Sequence, residues 1–349
     1  MLDPKLNVAV YMEGHIDSDY GKMGMGVVRY LKNPIVGIVD SKFAGKNIYE
    51  IDEFNDINKD IKVYKNLKQV VELGAKVLIL GIAPSGGKIP KEWDSIIEEA
   101  IDSGLSIVNG LHDLLSPKWD ERIKDKKSQW IWDVRVPQFI PEIATGKVAK
   151  INNKRVLFIG TDMAVGKMTA GLELYKDLIK RDVNVGFVAT GQIGITITGK
   201  GIPLDAYKVD HACGAVEHSV LEEKEKEIVI IEGQGSILHP GSTATLPLMR
   251  GSCPTHLVLC IRADKNTLRS PENIIIPDLN EFISLNESLV SVFGTYPKAK
   301  VIGICANTSM LSKEQAEVFI KRLNNKTGII VVDPVRQGVK ELTDKLIQG

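Results

Sequence analysis

The sequence predicts an α/β protein with two parallel-sheet domains, an N-terminal one over residues 1–150 and a phosphate-binding one over residues 151–349. Three observations carry that expectation. Short apolar runs alternate with amphipathic stretches, the pattern of strands joined by crossover helices. One of these runs, Val156-Leu157-Phe158-Ile159, leads into Gly160-Thr161-Asp162-Met163-Ala164-Val165-Gly166-Lys167-Met168-Thr169. Between the halves, the polar stretch from Asp120 to Gln129 and then Pro137, Pro141 and Gly146 interrupt the alternation, which puts the boundary near Lys150.

In the first domain, Asn7 to Met12 reads as a buried strand that breaks at Gly14, and a helix through Val27, Val28 and Leu31 follows. Further strands are Ile35 to Val39, Lys76 to Leu80 and Ser106 to Val108, with a helix from Trp93 to Ile101, and the polar stretch from Asp120 separates this unit from Trp130 to Val134. Ligands of a parallel sheet sit outside the carboxyl ends of its strands. The loops at Gly14, Gly45, Ala83-Pro84-Ser85-Gly86-Gly87-Lys88 and Asn109-Gly110-Leu111-His112-Asp113 fall there. Lys46, Lys88 and Arg135 are the cations expected to pair with a substrate carboxylate. Gly21, Gly24 and Gly26 have the wrong spacing and follow a loop, so NAD is not expected.

The second domain starts on its motif. A strand that stops at a glycine, a short loop, and Gly-Lys opening a helix aim several backbone N–H groups at one point, and that geometry holds an anion. Lys167 adds a positive charge and is expected to be an exposed first-turn lysine. The spacing departs from the usual pattern, with five residues between Gly160 and Gly166, Met168 after the lysine, and the hydroxyl one place later at Thr169. Gly160, Thr161, Asp162, Val165, Gly166, Lys167, Met168 and Thr169 are the expected cofactor contacts.

The strand from Val185 to Ala189 precedes Thr190 to Gly201, expected to be a flexible glycine-rich loop facing the phosphates, with Gln192 a cofactor contact. A helix through Ala212, Val216 and Val220 ends in the charged run Glu222 to Glu227, expected to be solvated. Ile228 to Ile231 reads as a central strand that delivers Glu232 to a position where an acid can reach a metal. Leu257 to Ile261 and Val301 to Ala306 are further strands. Asn307 leaves the second of them with an amide suited to an adenine edge. Ser312 and Gln315 form a capping box opening a helix to Leu323, and Ile329 to Val332 with a helix from Val339 close the domain.

Composition limits the partner. Lys plus Arg and Asp plus Glu number 44 each, so no basic excess is present to bind nucleic acid or an anionic membrane, and the expected partner is a small molecule. With 349 residues, 44% of them hydrophobic, the chain can fill two cores. No apolar run has the length of a membrane span and the first residues lack a signal-peptide core, so a cytoplasmic location is expected, as is a homo-oligomer. Cys213, Cys253, Cys260 and Cys305 show no paired spacing and read as reduced thiols in or near the core. His211, Cys213 and His218 share a helix, but residues two apart diverge, so no metal site is expected there.

Gly160-Thr161-Asp162, two residues, then Val165-Gly166-Lys167, together with Glu232-Gly233-Gln234-Gly235, resemble the phosphate site of dethiobiotin synthetase and related ATP-dependent ligases. That likeness implies ATP and Mg2+, with Thr169 and Glu232 on the metal side and Asn307 on the adenine. Over nearly its whole length the chain also resembles a bacterial family catalogued as a domain of unknown function, whose studied member is a D-glutamate N-acetyltransferase. The strings that carry this likeness are residues 83–88, 110–113, 160–169, 190–192 and 232–236, with His239-Pro240. This second resemblance implies a Rossmann-like N-terminal domain fused to a P-loop domain, and makes Met168 a family trait. It implies acetyl transfer from acetyl-CoA to the amino group of a small acidic amino acid, with Glu232 and His239 as candidate bases. An ATP- and Mg2+-dependent ligase or kinase, and a nucleotide-binding sensor without catalysis, stay open beside it.

Overall fold

The computed structural model describes residues 2–54, 57 and 59–348. Contacts divide them into two compact units. One runs to Val136 and includes Gln192–Pro203; the other comprises Pro137–Gly191 and the chain from Leu204 onward.

The first unit contains β1 (Val8–Tyr11), α1 (Lys22–Tyr30), β2 (Ile35–Val39), β3 (Val63–Tyr64), α2 (Leu67–Glu72), β4 (Val77–Leu80), α3 (Asp94–Asp102), β5 (Ser106–Asn109), α4 (Ser116–Trp119) and β6 (Ile131–Asp133). Its strands pair in parallel in the order β3-β2-β1-β4-β5-β6, the Rossmann arrangement. Every residue of β1 and β4 is buried, because elements on both faces of a parallel sheet exclude water from both, and this explains their unbroken apolar runs. The loops at the carboxyl edge hold one another. His112 N donates to the Gly87 carbonyl at 2.8 Å, and Ile89 N donates to Asp113 Oδ2 at 2.9 Å. Asp40, at the end of β2 where a dinucleotide-binding fold keeps its ribose acid, is buried and accepts from Lys42 N at 2.8 Å and Ile16 N at 3.3 Å. Burial raises its pKa. Its carboxylate is thus committed to the unit's own loops.

The second unit contains β7 (Lys154–Gly160), α5 (Lys167–Lys180) and β8 (Val185–Val188); α6 (Gln192–Thr198) then belongs to the first unit. It continues with α7 (Val209–Glu222), β9 (Ile228–Ile231), α8 (Thr245–Ser252), β10 (His256–Arg262), α9 (Leu279–Ser291), β11 (Lys300–Asn307), α10 (Lys313–Thr327), β12 (Ile330–Val332) and α11 (Lys340–Gln348). The parallel order is β12-β11-β10-β7-β9-β8, so β7 is central and β9 lies beside it. At the foot of β7, the buried Arg155 guanidinium donates to the carbonyls of Cys253 at 2.9 Å and Ile151 at 2.9 Å, fixing the strand's start. The capping box of α10 is present, with Gln315 N donating to Ser312 Oγ at 3.2 Å and Ser312 N to Gln315 Oε1 at 3.0 Å.

Two expectations are corrected here. Thr190 to Gly201 is not a flexible loop throughout. It contains α6, whose Gly194, Ile195 and Thr196 are buried, and whose Thr196 and Thr198 hydroxyls each donate to the carbonyl four residues back at 2.8 Å. Burial of one apolar face by tertiary packing overrode the glycine-rich composition. The charged run after α7 is not wholly solvated either. Glu223 is buried over Gly186 of β8, where an added Cβ would lie 2.5 Å from Glu223 Oε2.

Candidate functional site

The site is assembled at the carboxyl ends of β7 and β9. After Gly160 the chain turns through Thr161 to Gly166 and enters α5 at Lys167. The turn needs two left-handed residues, Ala164 at φ 51° and Gly166 at φ 99°; only the second is free of a Cβ penalty. Asp162 anchors the loop, its Oδ1 accepting from Met163 N at 2.6 Å and its Oδ2 from Arg269 N at 2.7 Å. Thr161 N donates to the Cys260 carbonyl at 3.1 Å, which ties the loop to β10.

Lys167 is not the exposed residue expected from its place in the first helical turn. It is 6% exposed, and its Nζ donates to the Asp162 carbonyl at 2.7 Å. The ammonium lies so close beneath the loop that a Cβ on Gly160 would stand 3.0 Å from it. Burial pulls its pKa down to about 8, against the opposing influence of Cys260, Asp162 and Glu232. Val165 is buried; Met168 and Thr169 are half-buried, with Thr169 third in the helix.

Glu232 follows β9 and is 2% exposed. Its Oε2 accepts from Thr190 N at 2.8 Å and Gly191 N at 3.1 Å, while the Thr190 hydroxyl donates to the Glu232 carbonyl at 2.8 Å. Burial pushes its pKa up to about 7, and the two amides and Lys167 act in the other direction. The close approach depends on Gly233, where a Cβ would meet the Phe158 carbonyl oxygen at 1.7 Å and Lys167 Cδ at 3.0 Å. A buried ammonium, a buried carboxyl and a helix N-terminus therefore share one corner, an arrangement suited to an anion.

Other expected site residues belong to the first unit or are otherwise engaged. His239 Nδ1 accepts from Gly241 N at 3.1 Å, so its Nε2 carries the proton and donates to the Ser270 carbonyl at 2.6 Å. That ring has no free lone pair for a substrate proton. Gln192 opens α6 in the first unit, where a Cβ on Gly110 would lie 3.2 Å from its Cγ. Arg135 donates from Nε to the Gly110 carbonyl at 2.8 Å, and Lys46 lies 5.5 Å from the Phe43 ring centroid. Asn307 ends β11, with Oδ1 accepting from Ser309 N at 3.0 Å.

Sequence reasoning missed the Thr190 and Gly191 amides as partners of Glu232, and the anchoring of Asp162 by the Arg269 amide. It also missed a cavity of about 540 Å³ lined by Thr161, residues 261–266 and 276–279, Phe319, Arg322, Leu323 and Lys326. The wording Glu232-Gly233-Gln234-Gly235 was the available signal for close approach. None existed for the cavity, whose walls are separated in the chain. Among the described residues, no cluster of three or more His, Cys, Asp or Glu is arranged to hold a metal, and no helix is long and apolar enough to cross a membrane.

Comparison with known proteins matches both halves. A Rossmann-like domain described as "Domain of unknown function (DUF1611_N)" matches residues 42–137, and a P-loop domain described as "Domain of unknown function (DUF1611_C)" matches residues 142–343. A crystal structure of a DUF1611 family protein from Anabaena variabilis superposes with a TM-score of 0.93 at 39% identity, covering 99% of this chain and 100% of that one. A protein named D-glutamate N-acetyltransferase from a Pseudoalteromonas species is 39% identical over 281 residues, 80% of this chain and 83% of its own length. One of the same name from Tritonibacter scottomollicae is 35% identical over 282 residues, 80% of this chain and 84% of its own.

Proposed function

Because the chain belongs to the DUF1611 family of Rossmann-like and P-loop domains, we propose that it is an N-acetyltransferase that carries the acetyl group of acetyl-CoA to the amino group of a small acidic amino acid, D-glutamate first among them. The observation that carries this reading is the intact phosphate corner of Lys167 and Glu232 in a chain 39% identical to a relative of that name. In this reading the loop amides from Ala164 to Lys167 and the Lys167 ammonium hold the diphosphate of the donor. The substrate nitrogen attacks the thioester carbonyl carbon; the new C–N bond forms, the C–S bond breaks, and the sulfur leaves with the electron pair. The surplus proton of the amine passes to a base and the thiolate is protonated to the free thiol.

The length of the pantetheine arm separates that thioester from the diphosphate. Glu232 belongs to the phosphate corner, so its part is to hold Thr190 and Gly191 and to set the charge on Lys167. It is a positioning residue in this reading, not the proton acceptor.

A second reading is favoured by one observation. Glu232 follows the strand beside β7, with Oε2 taken by two amides and Oε1 outside those bonds, where an acid on the metal side of a bound nucleotide triphosphate belongs. Glu232 and Thr169 would then hold Mg2+ in an ATP-dependent ligase or kinase. Purified protein with a panel of amino acids, assayed once with acetyl-CoA and once with ATP and Mg2+, separates the two. Free thiol released only with an acidic amino acid supports transfer, and amino-acid-dependent ADP without thiol replaces it with ligation.

A further inference from the structure

The cavity beside the phosphate loop is built from two kinds of surface. Ile261, Ile276, Pro277, Phe319 and Leu323 give it an apolar lining, and Arg262, Lys265, Arg322 and Lys326 add four cations against the two carboxylates of Asp264 and Asp278. Both carboxylates are already matched. Arg262 binds Asp264 through two hydrogen bonds, at 3.1 and 2.7 Å, and Lys326 pairs with Asp278 at 2.7 Å. Arg322 differs from them. Its guanidinium lies 5.7 Å from the Phe319 ring centroid and, among the described residues, has no carboxylate partner. Thr161 lines the cavity and is also the first residue of the phosphate loop, so a ligand gripped by that loop opens directly into it.

We propose that this cavity receives the nucleotide end of coenzyme A, with adenine against the apolar lining and the ribose 3′-phosphate on Arg322. The inference rests on the acetyl-CoA reading above and deepens it, because it names what distinguishes CoA from ATP. ATP carries no phosphate on the 3′-oxygen of its ribose, and an aromatic-backed guanidinium with no carboxylate partner is suited to one. A free acidic amino acid fits the space poorly. About 540 Å³ is room for a ligand of nucleotide size, and the two methylenes of glutamate leave the apolar lining uncovered.

Calorimetric titration of the whole protein with CoA and with 3′-dephospho-CoA tests this without recourse to turnover. Wild type is expected to bind CoA roughly tenfold or more tightly than the dephospho form, the worth of one charge-assisted contact. Arg322 is exposed on α10, and Arg322→Gln is expected to keep the fold and the affinity for dephospho-CoA while losing most of that preference. Lys321→Gln, a neighbouring exposed position outside the cavity lining, should keep it. Equal wild-type affinities, or a preference that survives Arg322→Gln, overturn the subsite and leave the transferase reading standing. Binding of neither compound by wild type removes both.

Discussion

The Nζ of Lys167 donates to the main-chain oxygen of Asp162 at 2.7 Å, so the lysine of the phosphate loop closes that loop on itself. An ammonium buried against one carbonyl, with its pKa held down to about 8 by that burial, gains from an anion what the protein interior withholds.

Lys167→Met removes the charge and keeps a flexible apolar stem beside Gly233. The fold is expected to survive with a modest loss of stability, on the order of 1 kcal/mol for the unpaired Asp162 carbonyl. Stabilisation by the phosphorylated cofactor in a thermal-shift assay is expected to disappear, corresponding to about 2–4 kcal/mol of binding. A variant that keeps the wild-type shift rejects the phosphate-loop assignment.

Glu232 gives stability a pH dependence of definite sign. Its folded pKa of about 7 lies above its ordinary 4.5 because of burial, so below about 4.5 both folded and unfolded chains hold the proton. As pH rises through that window the unfolded chain releases its proton first, and wild type loses stability until about pH 7. Glu232→Gln lacks this loss. Its stability relative to wild type, from denaturant titrations at several pH values, should therefore grow across the window, by on the order of 3 kcal/mol. A difference that stays flat with pH would falsify the burial argument.

Two glycines separate backbone crowding from side-chain crowding. Gly233→Ala directs a Cβ at the Phe158 carbonyl oxygen, 1.7 Å away on a central strand, and is expected to cost more than about 3 kcal/mol or to prevent folding. Gly191→Ala meets no backbone atom: the end of the Gln234 side chain, at 2.2 Å, can swing aside, and Glu232 Oε1 lies at 3.3 Å. Chemical denaturation should rank them in that order, and equal losses would contradict the close approach of β9 to β7.

The thiols bear on the assay proposed above. Cys253, Cys260 and Cys305 are buried and Cys213 is half-buried. Burial raises the pKa of Cys213 and Cys253, and a hydrogen bond with Cys260 together with burial raises that of Cys305. An aromatic disulfide reagent is expected to label at most one cysteine in native protein and all four after unfolding. Reaction of Cys260 or Cys305 in native protein would mean that β10 and β11 are open to solvent.

The alternation of apolar runs with amphipathic helices, the phosphate loop at residues 160–169 and the capping box at Ser312 were legible from the sequence alone, because each is encoded within a short contiguous stretch whose spacing dictates its local geometry. Tertiary structure decided the rest. Lys167 reads as a solvated first-turn residue until β9 and Gly233 are laid against it. Thr190 to Gly201 reads as a loop until burial of Ile195 makes part of it a helix in the first unit. His239 reads as a base until the Gly241 amide and the Ser270 carbonyl occupy its ring. Burial, proton affinity and the partners of a polar atom depend on segments brought together from distant parts of the chain, and local periodicity carries no record of which segments those are.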